Sequence, residues 1–287
     1  MQKAKIQLLS AMGIFGTIGI FVRYIPLSST AIAFVRGLLG VVFLVLVMLL
    51  TKKKPNRQAI KKNLLVLCVS GAAIGFNWIL LFESYKHTTV ATATVCYYLA
   101  PLFLLLASPL LEEKLTVKKI ICISTALVGM IFISGITEGP LPTFGQLQGI
   151  ALGVGAAVLY AGVMFLNKKL SPIGAYDKTV LQLGAATAVL LPYLMLTEGA
   201  ALPTLTGVQW TLLFIVGVVH TGFAYWLYFG AMKNLSAETI ALFSYLDPVL
   251  AILLSAFLLG ERMSVSGIIG TVLILGSALY SELPQRK

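Results

Sequence analysis

Residues 75–101 read GFNWILLFESYKHTTVATATVCYYLAP, and residues 222–248 read GFAYWLYFGAMKNLSAETIALFSYLDP. At this one offset Gly75 falls on Gly222, Phe76 on Phe223, Leu80 on Leu227, Phe82 on Phe229 and Lys86 on Lys233. Further along, Thr92 falls on Thr239, Tyr98 on Tyr245, Leu99 on Leu246 and Pro101 on Pro248. After a one-residue slip, Leu110-Leu111, Glu113 and Val117 fall on Leu258-Leu259, Glu261 and Val265. The chain thus reads as a duplication, with a proline inside an apolar run of each copy. The relative orientation of the copies follows from how often each crosses a membrane.

The whole chain has 287 residues, 59% hydrophobic and 11% charged, with a mean hydropathy of +0.96. Water-soluble domains carry roughly a quarter of their residues charged, so this is the balance of an integral membrane protein. Apolar stretches fall at about 6–24, 28–51, 63–85, 89–111, 116–135, 145–167, 176–196, 208–230, 236–259 and 264–282. Each is long enough to span at about 20 residues per crossing. The runs are continuous rather than alternating, which makes them helices and not barrel strands. The expected fold is all-α, with ten transmembrane helices as two five-helix repeats at residues 1–137 and 142–287. An odd number of crossings per repeat inverts the second, the arrangement by which secondary transporters build a site at mid-membrane. Such a chain has no room for a soluble catalytic domain, a nucleotide-binding cassette or a DNA-binding module.

A net charge of +11 in a soluble protein would suggest nucleic acid, but here the basic residues mark topology. With the N-terminus inside, all of the 21 lysines and arginines fall in internal loops except Arg23, Lys86, Arg262 and the intrahelical Arg36. The positive-inside rule then places both termini in the cytoplasm. Lys3 and Lys5 precede an apolar run that lacks a cleavage site, so it reads as the first transmembrane helix. Cys68, Cys96 and Cys122 lie singly in separate apolar segments, without metal-ligand or disulfide spacing. No cofactor and no metal site is expected.

The run Tyr98-Leu99-Ala100-Pro101 followed by Leu110-Leu111-Glu112-Glu113 has its copy in Tyr245-Leu246-Asp247-Pro248-Val249 followed by Leu258-Leu259-Gly260-Glu261-Arg262. This pattern resembles the EamA-like members of the drug/metabolite transporter superfamily over nearly the whole chain. The resemblance implies a central cavity lined mainly by the first, third, fourth, sixth, eighth and ninth helices, and alternating access by rocking of the halves. It is unspecific as to cargo, since that superfamily exports amino acids and their derivatives, toxic cations and vitamins, and includes some uptake systems.

Several residues could carry the chemistry. Pro101 and Pro248 each remove an N–H, freeing the carbonyls of Tyr97 and Ser244 near mid-membrane. These helix breaks either offer carbonyls to a substrate or only shape packing. Asp247 and His220 lie halfway along consecutive helices and could meet at the midplane, where either could carry a proton in an exchange cycle. Asp247 could instead cap the broken helix, and His220 could be a hydrogen-bonded interface histidine. Arg36 lies about 12 Å below the outer end of the second helix. It either pairs with Glu83 as a charge staple or receives a substrate carboxylate.

Candidate substrate-binding residues are Asn77, Trp78, Tyr97, Tyr98, Tyr160, His220, Tyr228, Ser244 and Tyr245. Buried phenols and indoles require hydrogen-bond partners. His220, Ala224 and Tyr228 share one helical face, as do Gly71, Gly75 and Trp78. The two faces are expected either to oppose each other across the cavity or to be plain packing surfaces. The Gly71–Gly75 and Gly149–Gly153 spacings suit close helix contact.

No phosphate-binding loop and no nucleophile beside a base occurs in the sequence. The leading expectation is a secondary transporter of the inner membrane exporting a small amphipathic metabolite, such as an amino acid, an aromatic compound or a related drug, in exchange for protons. The alternative is a transporter of a quaternary or other organic cation through an aromatic cage. From another class comes a membrane-embedded lipid-modifying enzyme using His220 and Asp247. The expected partners are a small-molecule substrate, the lipid bilayer and protons, with no nucleic acid. A monomer suffices, because one chain holds both halves.

Overall fold

The computed structural model describes residues 2–111, 116–134, 142–199, 205–232, 234–235 and 237–283. Among them every regular element is helical. In chain order these are α1 (Gln2–Arg23), α2 (Ser29–Leu50), α3 (Arg57–His87), α4 (Val90–Tyr97), α5 (Ala100–Leu106) and α6 (Val117–Ile133). The second set is α7 (Phe144–Lys168), α8 (Ala175–Thr197), α9 (Gly207–Gly217), a π-helical turn (Val218–Phe223), α10 (Ala224–Met232), α11 (Ala237–Ser244), α12 (Leu246–Leu258) and α13 (Val265–Glu282). Among the described residues six helices are long and apolar enough to cross a membrane: α1, α2, α3, α7, α8 and the continuous run Gly207–Met232.

The helix starts are chemically marked. Ser28, Asn56, Thr89, Thr116, Thr143, Thr206 and Ser264 each accept a backbone N–H from the first turn of the helix they precede. These caps satisfy donors that lipid could not. Two of the apolar segments are divided near their prolines. The first divides into α4 and α5 at Tyr98-Leu99, and the second into α11 and α12 at Tyr245, two to three residues ahead of Pro101 and Pro248. The eighth expected segment is interrupted by the π-helical turn.

The packing crosses from the first set of helices to the second. α3 lies against α7 and α8, α1 against α10 and α12, α2 against α8 and the π-turn, and α6 against α13. The α6–α13 crossing runs backbone to backbone: a Cβ on Gly129 would sit 2.9 Å from the Gly270 carbonyl oxygen, and one on Gly270 would sit 2.6 Å from that of Gly129. Small residues permit such approach where lipid provides no hydrophobic drive. The Gly71–Gly75 face seats on Gln182, Ala185 and Leu190 of α8. It therefore does not oppose the His220 face across a cavity; it is a packing surface, because glycine admits a whole helix where a side chain would stand.

One end of the bundle carries Lys3, Lys5, Lys53, Lys54, Arg57, Lys61 and Lys62 and is termed the lysine-rich end. A cavity of about 360 Å³ opens there, between the C-terminal ends of α2 and α10 and the start of α8. Met48, Lys53, Lys54, Tyr176, Phe229 and Met232 help to line it.

Candidate functional site

Arg36 is mid-helix on α2 and only 6% exposed. Its Nε donates to Thr221 Oγ1 at 2.8 Å, and that hydroxyl donates onward to the Val216 carbonyl five residues back, at 3.1 Å. The i to i−5 bond belongs to the wide π-turn, a feature that recurs at functional sites. Glycines explain how the π-turn comes so near: Gly40 abuts Thr221, Gly217 abuts Leu39, and Gly222 abuts Phe43. The guanidinium carbon lies 4.2 Å from the centre of the Trp78 ring and 5.5 Å from that of Phe82, so aromatic faces supply part of what water would. Tyr225, Tyr97 and Tyr85 are within electrostatic range of it.

The expected Arg36–Glu83 pair does not form. Glu83 accepts from Ser29 Oγ at 2.6 Å and from Lys86 Nζ at 2.9 Å, and stands 3.5 Å from His87 Nε2. Lys86 and His87, one turn along its own helix, are closer to hand than a guanidinium held on the π-turn. Among the described residues Arg36 has no anionic partner.

Among the described residues the interior carboxyl is Asp247, the second residue of α12. The Tyr98 phenol lies 2.8 Å from Asp247 Oδ2 and 3.3 Å from the Ser244 carbonyl oxygen, and donates to both. Ser244 is the residue whose carbonyl Pro248 frees, so a hydroxyl from the other repeat covers the acceptor that the proline exposes. Tyr98 and Tyr245 occupy the same position in the two copies, and their rings pack at 5.8 Å. Tyr85 is within electrostatic range of both Asp247 and Arg36. Arg36 and Asp247 form no ion pair with each other.

The structure does not bring His220 and Asp247 together. Nε2 of His220 is 2.8 Å from Thr17 Oγ1, Nδ1 is 3.3 Å from the Ile215 carbonyl, and the ring packs edge-on against Phe21 at 4.8 Å. Both border one turn of α1, where a Cβ on Gly16 would lie 2.8 Å from the Asp247 carbonyl oxygen and the adjacent Thr17 meets His220, but the His220 and Asp247 side chains engage different partners.

The remaining candidates divide into two groups. Asn77 donates to the Ala156 carbonyl at 2.5 Å and accepts the Tyr97 phenol at 3.4 Å, and Tyr97 stacks on Tyr160 at 5.3 Å. Tyr228 lies apart, edge-on to Phe229 at 5.9 Å. Phe229 belongs to a run of rings leading inward from the cavity: Tyr176 to Phe229 at 5.4 Å, Phe229 to Tyr225 at 5.8 Å, and Tyr225 to Phe15 at 5.5 Å. Sequence reading missed Thr221 and Tyr85. Of these only Thr221 left a trace, in the Gly217 and Gly222 that flank it.

A model of the EamA-like transporter family matches residues 2–135 and again residues 147–281. A Bacillus subtilis protein named uncharacterized transporter YxxF is 34% identical over 278 residues, which cover 96% of this chain and 88% of that one. An uncharacterized transporter of Archaeoglobus fulgidus is 27% identical over 268 residues, covering 93% and 92%. A solved crystal structure superposes with a TM-score of 0.62 at 19% identity, covering 98% of this chain and 96% of that one, which is a likeness of fold.

Proposed function

The chain belongs to the EamA-like transporter family, and we propose that it is a secondary transporter exporting small amphipathic metabolites across the inner membrane, with a carboxylate on the cargo received by Arg36. The observation that carries this reading is a guanidinium at 6% exposure with no anion beside it among the described residues. An uncompensated charge at such depth costs several kcal/mol. A cargo carboxylate would supply the missing charge through two parallel N–H···O bonds, the strongest pairing open to a guanidinium. Trp78, Tyr97 and Tyr225 offer walls for the apolar body. Asp247 then takes either the cargo's amine or the coupling proton.

The same arrangement weighs against an aromatic cage for a bare organic cation, which Arg36 would repel. On this reading the ten apolar segments are ten spans in two oppositely oriented halves that work by alternating access, with the lysine-rich end in the cytoplasm. The two family matches support two halves. The Tyr98–Tyr245 contact supports a twofold relation, because a residue and its copy meet only near such an axis.

The test uses purified protein in liposomes containing a pH dye. Carboxylate-bearing amphipathic solutes are expected to drive proton movement, their amides far more weakly, and Arg36→Met is expected to abolish the response to the acids. Proton movement driven equally by quaternary amines, and kept in Arg36→Met, overturns the reading.

A further inference from the structure

At the end opposite the cavity, a second charge cluster joins the two sets of helices. α12 ends in a left-handed turn at Gly260, whose φ is +67°. The Glu261 N–H returns to the Ser255 carbonyl at 3.2 Å, closing a seven-residue helix stop that fixes where the Glu261 side chain starts. Glu261 Oε2 accepts the Ser255 hydroxyl at 2.5 Å and the Val90 N–H, in the first turn of α4, at 2.9 Å. Glu261 Oε1 meets Arg23 Nη2 at 3.2 Å. Arg23, the last residue of α1, also donates through Nη1 to the carbonyls of Tyr85 and Thr88 at the C-terminal end of α3. A carboxylate at a helix N-terminus and a guanidinium at a helix C-terminus both complement the backbone dipoles they face.

One side chain of the second repeat is thereby tied to α1, α3 and α4 of the first. Glu261 is only 11% exposed and Arg23 36%, so the pair is sheltered on its carboxylate side.

Resting on the transport reading above, we propose that Arg23 and Glu261 form a bolt that shuts the end opposite the lysine-rich cavity, and that it must part for cargo to pass there. Closure at one end while a cavity opens at the other is the asymmetry that passage through a two-ended protein requires.

The experiment follows modification of a buried cysteine by a membrane-impermeant maleimide on intact cells, in a chain with Cys68, Cys96 and Cys122 replaced by alanine. Val22→Cys reports the space behind the bolt, since Val22 is 4% exposed and packs with Trp78 and Tyr85. Tyr24→Cys, at a residue 56% exposed, reports the outer surface in either state. Both Glu261→Gln, which keeps an acceptor for Val90, and Arg23→Gln, at a side chain one-third exposed, are expected to label Val22→Cys about tenfold faster. That factor corresponds to about 1.4 kcal/mol. Tyr24→Cys is expected to label at an unchanged rate.

Unchanged Val22→Cys labelling in both variants, with melting temperatures like the parent's, overturns the bolt. Faster labelling in both, from a parent chain that moves no solute in liposomes, supports the bolt as a closure and refutes the transport reading.

Discussion

Replacing Thr221 by valine keeps the shape of the side chain and removes the oxygen that holds Arg36. In the native protein that oxygen accepts Arg36 Nε at 2.8 Å and donates to the Val216 carbonyl at 3.1 Å. Hydrogen bonds to charged groups contribute about 1.5–3 kcal/mol. If the bond serves to aim the guanidinium at a cargo carboxylate, its loss raises KM by about 10- to 100-fold for an acidic solute. The amide of the same solute, which the two outer nitrogens do not grip as a fork, is expected to change far less. Thr221→Ser restores the oxygen and is expected to recover most of the affinity. The assay is solute-driven flux in liposomes at graded concentrations, with KM and maximal rate read separately. An unchanged KM for the acid in Thr221→Val would refute the reasoning. So would an equal loss for acid and amide, which is the signature of a merely loosened π-turn.

Three further outcomes are expected. Asp247→Asn should abolish uphill, pH-dependent flux while retaining exchange of labelled for unlabelled solute, and wild-type pH dependence in that variant would remove Asp247 from coupling. His220→Gln should leave the pH profile of transport in place, because the ring is engaged with Thr17 and the Ile215 carbonyl; a flattened profile would reverse that assignment. Gly270→Ala should lower the melting temperature by several degrees, as its Cβ would stand 2.6 Å from the Gly129 carbonyl oxygen and overpacking costs about 1–3 kcal/mol. An unaltered melting curve would mean that α6 and α13 separate at little cost.

Helix positions were legible because apolar run length and polar caps act within a few residues of chain. The breaks at Tyr98 and Tyr245 were legible for the same reason, since proline removes a donor at a known distance. What joins distant segments was not. Arg36 and Glu83 looked like partners on two consecutive helices, yet Lys86 and His87 reach Glu83 from the next turn of α3. His220 and Asp247 looked adjacent because their helices are consecutive, but their side chains take different partners, Thr17 and Tyr98. No pattern in residues 218–223 announces a π-turn, and without it Thr221 has no reason to face α2. The site depends on long-range packing, whereas hydrophobic period and capping are local.

The reach of these contacts along the chain bears on how the protein is made. Arg36 and Thr221 are 185 residues apart, an interval of about 10–40 s of synthesis at 5–20 residues per second. Throughout that interval α2 has left the ribosome while the hydroxyl that holds its guanidinium does not yet exist. Asn77 waits likewise for the Ala156 carbonyl, 79 residues on. Whatever accompanies the nascent chain, insertion machinery or a deformed bilayer, must shelter that arginine until the second half arrives. Translational pausing between α2 and the π-turn would then lower the yield of folded protein without altering a single residue of it.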